Sequence, residues 1–285
     1  MKSNYMNYFK GGKLYQWDKD MNVYSIEPTN IAGEFCLDKK GMDILLKFKS
    51  PNITKGKTLK VQEGKTVVHI PLTEQALVFP RLEFNQTFRV DAAALQVAQE
   101  FTATDNKRPQ LMGVYIGESI SATDNMTVFT CPAFGTGNVI IAKEFISALP
   151  KTGTLELKAN NNMVAYENEE RIVIGKLLDG KYPDTTKLAL FQGNQKEIDL
   201  TPIKECLRFY TDMNDKVVLR KNSVSLEGAF NTTVEADFPI DFNCKTSAKF
   251  LDKVLKHIEY DTCWCEARGK FLVFNGNFVT LCLNE

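Results

Sequence analysis

Short runs with apolar residues at alternate positions recur along the chain and predict strands. They are KTVVHIPL (Lys65–Leu72), TLELKA (Thr154–Ala159), NMVAYEN (Asn162–Asn168), RIVIGKL (Arg171–Leu177), KVVLRK (Lys216–Lys221), SVSLEGAF (Ser223–Phe230), KFLVFNG (Lys270–Gly276) and FVTLCL (Phe278–Leu283). Each is rich in β-branched or aromatic residues and is bounded by Gly, Asn or Asp, the residues of turns. Between them lie segments whose apolar residues recur at three and four positions, the spacing of one helical face. Residues 37–48 predict a helix capped by Asp38, with Met42, Leu45, Leu46 and Phe48 inward. Residues 90–103 predict one that opens at Asp91 and buries Leu95, Ala98 and Phe101. A short helix over residues 142–151 turns Phe145, Ile146 and Leu149 inward and stops at Pro150. Residues 201–212 place Pro202 in the first turn and Ile203, Cys206, Leu207 and Tyr210 inward. Residues 246–258 bury Phe250, Leu251, Val254, Leu255 and Ile258.

Strand, helix, then several strands form a rhythm that repeats roughly five times without repetition of sequence. The units fall near residues 13–83, 84–132, 133–193, 194–238 and 239–285. Pairing them gives an α+β chain with antiparallel sheets and three domains: a half-sized one over 1–83, then 84–193 and 194–285. The joints are expected at Phe79-Pro80-Arg81-Leu82 and at the turn-prone Phe191-Gln192-Gly193-Asn194.

Composition narrows the function more by exclusion than by assertion. At 44% apolar and 25% charged, the 285 residues are those of an ordinary globular protein. No apolar run of about 18 residues predicts a membrane span, and the opening MKSNYMNYFKGGK lacks the apolar stretch of a secretory signal. A cytoplasmic protein is expected. The seven cysteines have no disulfide-framework spacing and read as free thiols, with Cys263 and Cys265 on one face of a strand. Neither His69 nor His257 stands at a metal-site spacing from a cysteine pair, so no metal is expected. There is no phosphate loop ending in Gly-Lys-Ser/Thr and no dinucleotide turn, and Gly135-Thr136-Gly137 reads as a simple turn. Asp105, Asp124 and Asp184 sit in turn-like sequences and are expected to cap turns. No cofactor and no catalytic centre are expected.

Charge changes the picture through its distribution. Thirty-five basic and 35 acidic residues cancel, which excludes coating nucleic acid through bulk positive charge. The basic residues nevertheless gather on or beside the predicted helices: Lys39, Lys40 and Lys47; Lys107 and Arg108; Lys143; Lys204 and Arg208; Lys249, Lys253 and Lys256. The last three are spaced to share one helical face. A basic helical layer of this kind touches phosphates without reading bases.

Four stretches resemble the bacterial DNA polymerase III beta subunit, the sliding-clamp family. RPQLMGVYI (Arg108–Ile116) is similar to its Arg-Pro-x-Leu-x-Gly strand, and SATDNMTVF (Ser121–Phe129) to its Ala-Thr-Asp-Gly-His-Arg-Leu segment. LLDGKYPDT (Leu177–Thr185) resembles Ile-Glu-Gly-Lys-Tyr/Phe-Pro-Asp-Tyr, and Asp241–Ile258 resembles the Phe-Asn-x-x-Tyr-Leu-x-x-x-Leu helix start. Residues 13–83 look like the second half of the family's first domain, its first half being absent.

The resemblance implies a DNA-clamp fold with helices inside and antiparallel sheets outside, and a homo-oligomeric ring around double-stranded DNA, held without sequence preference. The family's ring contains an even number of half-units, and the odd number read here leaves the subunit count open. The resemblance also implies loading by an external ATP-dependent clamp loader and tethering of a DNA polymerase through a hydrophobic peptide pocket. Carried over by position, that pocket includes Leu111, Thr123, Asn125, Met126 and Val128, then Pro183, Lys187 and Leu188, then Val279 and Leu281. Asn125 and Met126 stand where the family has Gly-His. The alternative is a clamp-like interaction module that does not encircle DNA.

Overall fold

The alternating segments form strands where their pattern places them in a computed structural model of the chain, which describes residues 5–18, 23–73, 83–105, 107–135 and 137–283. They run over Thr66–Pro71, Thr154–Ala159, Met163–Glu167, Ile172–Lys176, Lys216–Arg220, Ser223–Glu227, Phe271–Phe274 and Phe278–Leu283. The helices are α1 (Lys39–Leu45), α2 (Ala92–Glu100), α3 (Lys143–Ser147), α4 (Thr186–Ala189), α5 (Thr201–Leu207) and α6 (Ala248–Leu255). α4 has no counterpart in the hydrophobic pattern, being a single turn. None of these helices is long and apolar enough to cross a membrane. The expected joint at 79–82, Thr136 of the Gly-Thr-Gly turn and the last two residues lie outside the described residues.

The chain divides into two compact units, one drawn from Met1–Ala92 and Ile141–Leu178, the other from Ala93–Ile140 and Asp179–Glu285. In the first unit, eight antiparallel strands are ordered Phe35–Asp38, Tyr5–Lys10, Lys13–Asp18, Val23–Pro28, Ile172–Lys176, Met163–Glu167, Thr154–Ala159 and Gln86–Asp91. The strands Tyr5–Lys10, Lys13–Asp18 and Val23–Pro28 were not expected from the pattern. Their first hairpin turns through Gly11 and Gly12, both at positive φ (58° and 72°), a conformation that glycine adopts without steric cost. Phe9 and Phe35 stack with ring centroids 4.7 Å apart and, with Leu37, Leu45, Leu59 and Ile70, fill the core beneath α1. Three further strands, Asn52–Lys55, Thr58–Glu63 and Thr66–Pro71, make a separate small sheet.

Asp38 caps α1, its carboxylate accepting the Gly41 amide at 2.7 Å. Met42 and Leu45 are buried as expected, whereas Leu46 is 68% exposed. The helix ends at Leu45, so the chain leaves the helical path and Phe48 takes the inward place. The inward residues of α2 and α3 are buried as expected. In α5 and α6 the pattern holds except that Tyr210 and Phe250 are only half-buried.

The second unit is organised by its C-terminal strand. Phe278–Thr280 pair with Phe129–Thr127, Cys282 and Leu283 pair with Thr246 and Lys245, and Phe278–Leu281 pair with Phe274–Phe271. Register therefore aligns Val128, Val279 and Val273 in one cross-strand row, and Phe129, Phe278 and Phe274 in the next. Successive residues of a strand face opposite sides. The valine row accordingly packs with Ala189 of α4. The adjacent row faces the other way, where Phe129 and Phe278 meet Phe101 and the His257 ring. The segment between Leu177 and α4 is pinned by Tyr182, whose buried hydroxyl accepts the Thr123 amide at 3.0 Å and whose ring stacks on Tyr115 at 5.4 Å. Gly180 enables that approach: it has φ 127°, and a Cβ there would lie 3.1 Å from Gln110.

Two substitutions test these local effects. Asp38→Ala removes the cap of α1 and is expected to destabilise the first unit by about 1 kcal/mol, read as faster hydrogen exchange of the α1 amides. Tyr182→Phe leaves the buried Thr123 amide without its acceptor and is expected to cost about 1–3 kcal/mol in denaturant unfolding. An unchanged unfolding midpoint would contradict the pinning role.

Candidate functional site

The valine row and α4 form the floor and one wall of an apolar site that lies wholly within the second unit. Val128, Val273, Val279 and Ala189 are buried together, and Leu188, Phe191 and Phe271 pack around them partly exposed. Each buried valine contributes about 1.5 kcal/mol or more, so the floor is a stable element rather than one created by a ligand. Of the ten residues the sequence assigned to a peptide pocket, Leu111, Thr123, Val128 and Val279 are buried, and Val128 and Val279 belong to the floor. Met126, Leu188 and Leu281 are half-buried, while Asn125, Pro183 and Lys187 are exposed. Leu281 is tied to the opposite wall, its amide donating to the Met126 carbonyl at 2.9 Å. The arrangement is an apolar surface with a sparse polar rim, the form that accepts an extended peptide.

Two residues that the sequence pattern does not single out hold the α4 wall. Arg268 donates to the carbonyls of Leu190 (2.9 Å), Leu188 (2.5 Å) and Lys187 (3.4 Å), closing the carbonyl end of α4. The buried carboxylate of Glu266 accepts the Gln192 amide at 2.9 Å. Their spacing on one strand, two apart, places both on one face. Only the chain reversal after α4 brings their partners to them, so no local motif announces the pair.

The turn at Asp124–Thr127 forms the facing rim. Asp124 caps it, accepting from the amides of Met126 (3.0 Å) and Thr127 (2.7 Å) and from the Thr127 hydroxyl (2.9 Å). Asn125 adopts φ 74°, a conformation asparagine tolerates better than most residues, and accepts from Arg108 at 2.9 Å. Asp105 and Asp184 likewise cap turns, accepting from Lys107 and from Thr186. Hydrogen bonding from Thr186 holds the Asp184 carboxyl below its ordinary range.

The basic residues fall into different environments. Lys39, Lys40, Lys47, Lys107, Arg108, Arg208, Lys249 and Lys256 are exposed, and Lys143 and Lys204 are half-buried. α5 and α6 pack beside one another and leave a groove of about 280 Å³ lined by Lys204, Leu207, Arg208, Asp252, Leu255 and Lys256. Within it Lys256 pairs with Asp252 at 2.6 Å, whereas Lys204 pairs with Asp261, outside its lining, at 3.0 Å. Lys253 departs from the expected outward placement. Its ammonium turns inward to Asp124 (2.7 Å) and Thr127 (3.3 Å) and lies 4.7 Å from the centroid of the Phe101 ring. A helical spacing of four and three defines a face only to within the reach of a long, flexible side chain, and the partly buried Asp124 carboxylate draws this one inward.

Cys263 and Cys265 share the buried face of their strand as expected, and the seven cysteines are thiols rather than disulfides. Burial pushes the Cys263 thiol up to about 12 and Cys206 up to about 11, so neither is a reactive thiolate at neutral pH. His257 Nε2 lies 3.2 Å from Glu100.

No protein-family model matches the chain. Among curated proteins it is similar to the beta sliding clamp of Helicobacter pylori, at 26% identity, with 76% of this chain and 69% of that protein covered. Solved structures extend the likeness to the fold. The Bartonella birtlesii sliding clamp, DNA polymerase III subunit beta, bound to griselimycin, matches with TM-score 0.80 and 15% identity over 100% of this chain and 92% of its own. The Helicobacter pylori beta clamp bound to a DNA ligase peptide matches with TM-score 0.80 and 18% identity over 99% and 92%. The beta subunit of Thermotoga maritima gives 0.78 and 15% over 99% and 91%. In sequence and in fold, this chain is similar to the bacterial beta sliding clamps.

Proposed function

We propose that this chain is a cytoplasmic sliding clamp of DNA replication, a homo-oligomer that encircles duplex DNA and tethers a polymerase through the apolar site of the second unit. The observation that carries the reading is the aligned valine row beneath α4, with Leu188, Phe191 and Phe271 packed against it, in a chain whose fold matches sliding clamps along its length. The relatives solved with griselimycin and with a DNA ligase peptide support an extended peptide as the occupant. The work is mechanical and needs no catalytic residue. Since the sequence carries no nucleotide-binding motif, opening and loading fall to an external ATP-dependent loader.

For the DNA-facing set we assign Lys39, Lys40, Lys47, Lys107, Arg108, Lys143, Lys204, Arg208, Lys249 and Lys256. Support comes from their concentration on or next to helices in a chain of zero net charge. Lys253 is left out because its charge is already neutralised internally. Interactions of this type are sequence-independent and weaken with salt. We further propose the division into domains 1–83, 84–193 and 194–285, which follows the recurrence of strand, helix and strands.

Two measurements test the assignment. Leu188→Ala or Leu281→Ala is expected to weaken binding of griselimycin or of a clamp-binding peptide by roughly 1–3 kcal/mol in calorimetric titration. Unaltered titrations for both variants would remove the pocket. Reversing Lys249 and Lys256 together to Glu is expected to lower the slope of log K against log salt for duplex DNA by roughly 0.9 for each phosphate no longer neutralised. An unchanged slope would place those side chains away from the DNA.

A further inference from the structure

We propose that Lys253 is a positioning residue for the peptide site: from α6 its ammonium fixes the Asp124–Thr127 turn and so sets the rim formed by Asn125 and Met126. This rests on the peptide-site reading given above. The two faces of the sheet have different neighbours. Thr127 shares a face with Phe129, the face on which Phe129, Phe278 and Phe101 cluster and against which α6 lies. Val128 belongs to the opposite face, that of the valine row and α4, and Met126, just before the strand, is joined to Leu281 through its carbonyl, which accepts the Leu281 amide at 2.9 Å.

Asp124 divides its carboxylate between these two sides. One oxygen accepts from the Met126 and Thr127 amides and the Thr127 hydroxyl, and the other accepts the Lys253 ammonium at 2.7 Å. Lys253 and Asp124 keep only 20% and 16% of their side-chain surface exposed. Solvent therefore screens this pair less than it does the other described lysine–carboxylate pairs of the second unit, and a charge-assisted hydrogen bond in such a setting is among the stronger ones. The Phe101 ring below the ammonium favours the cation further. On the turn itself, Asn125 holds a left-handed conformation and donates its amide to the Thr123 hydroxyl at 3.1 Å. The turn thus depends on Asp124 for its shape, and Asp124 depends on Lys253 for its balance of charge. A lysine on a helix whose neighbours Lys249 and Lys256 face solvent thereby acts, through the two oxygens of Asp124, on the turn that carries Asn125 and Met126.

Griselimycin titration of the full chain provides the test, with Lys253→Met, Lys253→Arg, Asp124→Asn, the double variant Lys253→Met/Asp124→Asn, and Leu188→Ala as the marker of the pocket itself. Lys253→Met and Asp124→Asn are each expected to weaken binding roughly tenfold. The double variant is expected to bind no more weakly than the worse single one, because both remove one interaction. Lys253→Arg, which retains the charge, is expected to restore most of the affinity. The Met126 methyl resonance should move in Lys253→Met and return toward its original position in Lys253→Arg, a readout that does not require the ligand. If Lys253→Met does not fold, Asp124→Asn and Lys253→Arg carry the same comparison. Unchanged affinity and an unmoved Met126 methyl in Lys253→Met, with Leu188→Ala weakened, would overturn the positioning role and leave the pocket standing. No binding by the unaltered chain would remove the pocket and this role with it.

Discussion

Pairing along Phe278–Leu283 is the interaction on which the second unit depends. That strand meets Thr127–Pro132, Asn243–Ser247 and Phe271–Phe274, so it joins segments that lie far apart in the chain. Its alternation then sorts side chains to two destinations. Val279 joins the floor beneath α4, and Phe278 joins the aromatic cluster beside α6. A slip of one residue would exchange those two sets, which is why register here is specified by both faces at once. The valine row beneath α4 and the aromatic cluster beside α6 are consequently two sides of one set of strands.

Charge is used at short range in this molecule. The whole chain is neutral, and several lysines that looked like one uniform basic surface turn out to have distinct tasks. Lys253 binds a turn from within, Lys204 and Lys256 are paired at the surface, and Lys249 and Arg208 remain exposed. Surface pairs of this kind contribute little to stability and leave their cations able to exchange partners when a phosphate approaches. The partly buried pair of Lys253 with Asp124 does not have that freedom, and it belongs to the architecture.

Much of this was legible in the sequence because strand and helix periodicity are local. The strands Thr154–Ala159 and Phe278–Leu283 match their sequence segments residue for residue, and Asp38 was recognisable as a cap from its place before an apolar helical face. The strands Tyr5–Lys10, Lys13–Asp18 and Val23–Pro28 were not, since they mix polar and apolar positions without clean alternation: Asn7, a polar residue, is fully buried through bonds to Leu37 and Gln16. α4 escaped because a single turn has no period. The pocket residues came from resemblance, and the sequence alone did not separate those that form its floor, such as Val279, from those at its rim, such as Leu188. Arg268 and Glu266 were invisible because their partners are backbone groups distant in the chain, at separations of 78 and 74 residues. Only the folded path supplies such partners.

Retention on DNA tests the central claim most directly. The protein would be loaded on a nicked circular duplex by an ATP-dependent clamp loader, separated from free protein by gel filtration at moderate salt, and then followed after the circle is cut once. Topological linkage predicts that it stays with the closed circle and runs off the linear ends. Equal retention before and after cutting, or no retention on either form, would contradict encirclement and favour a clamp-like module that binds partners without enclosing DNA.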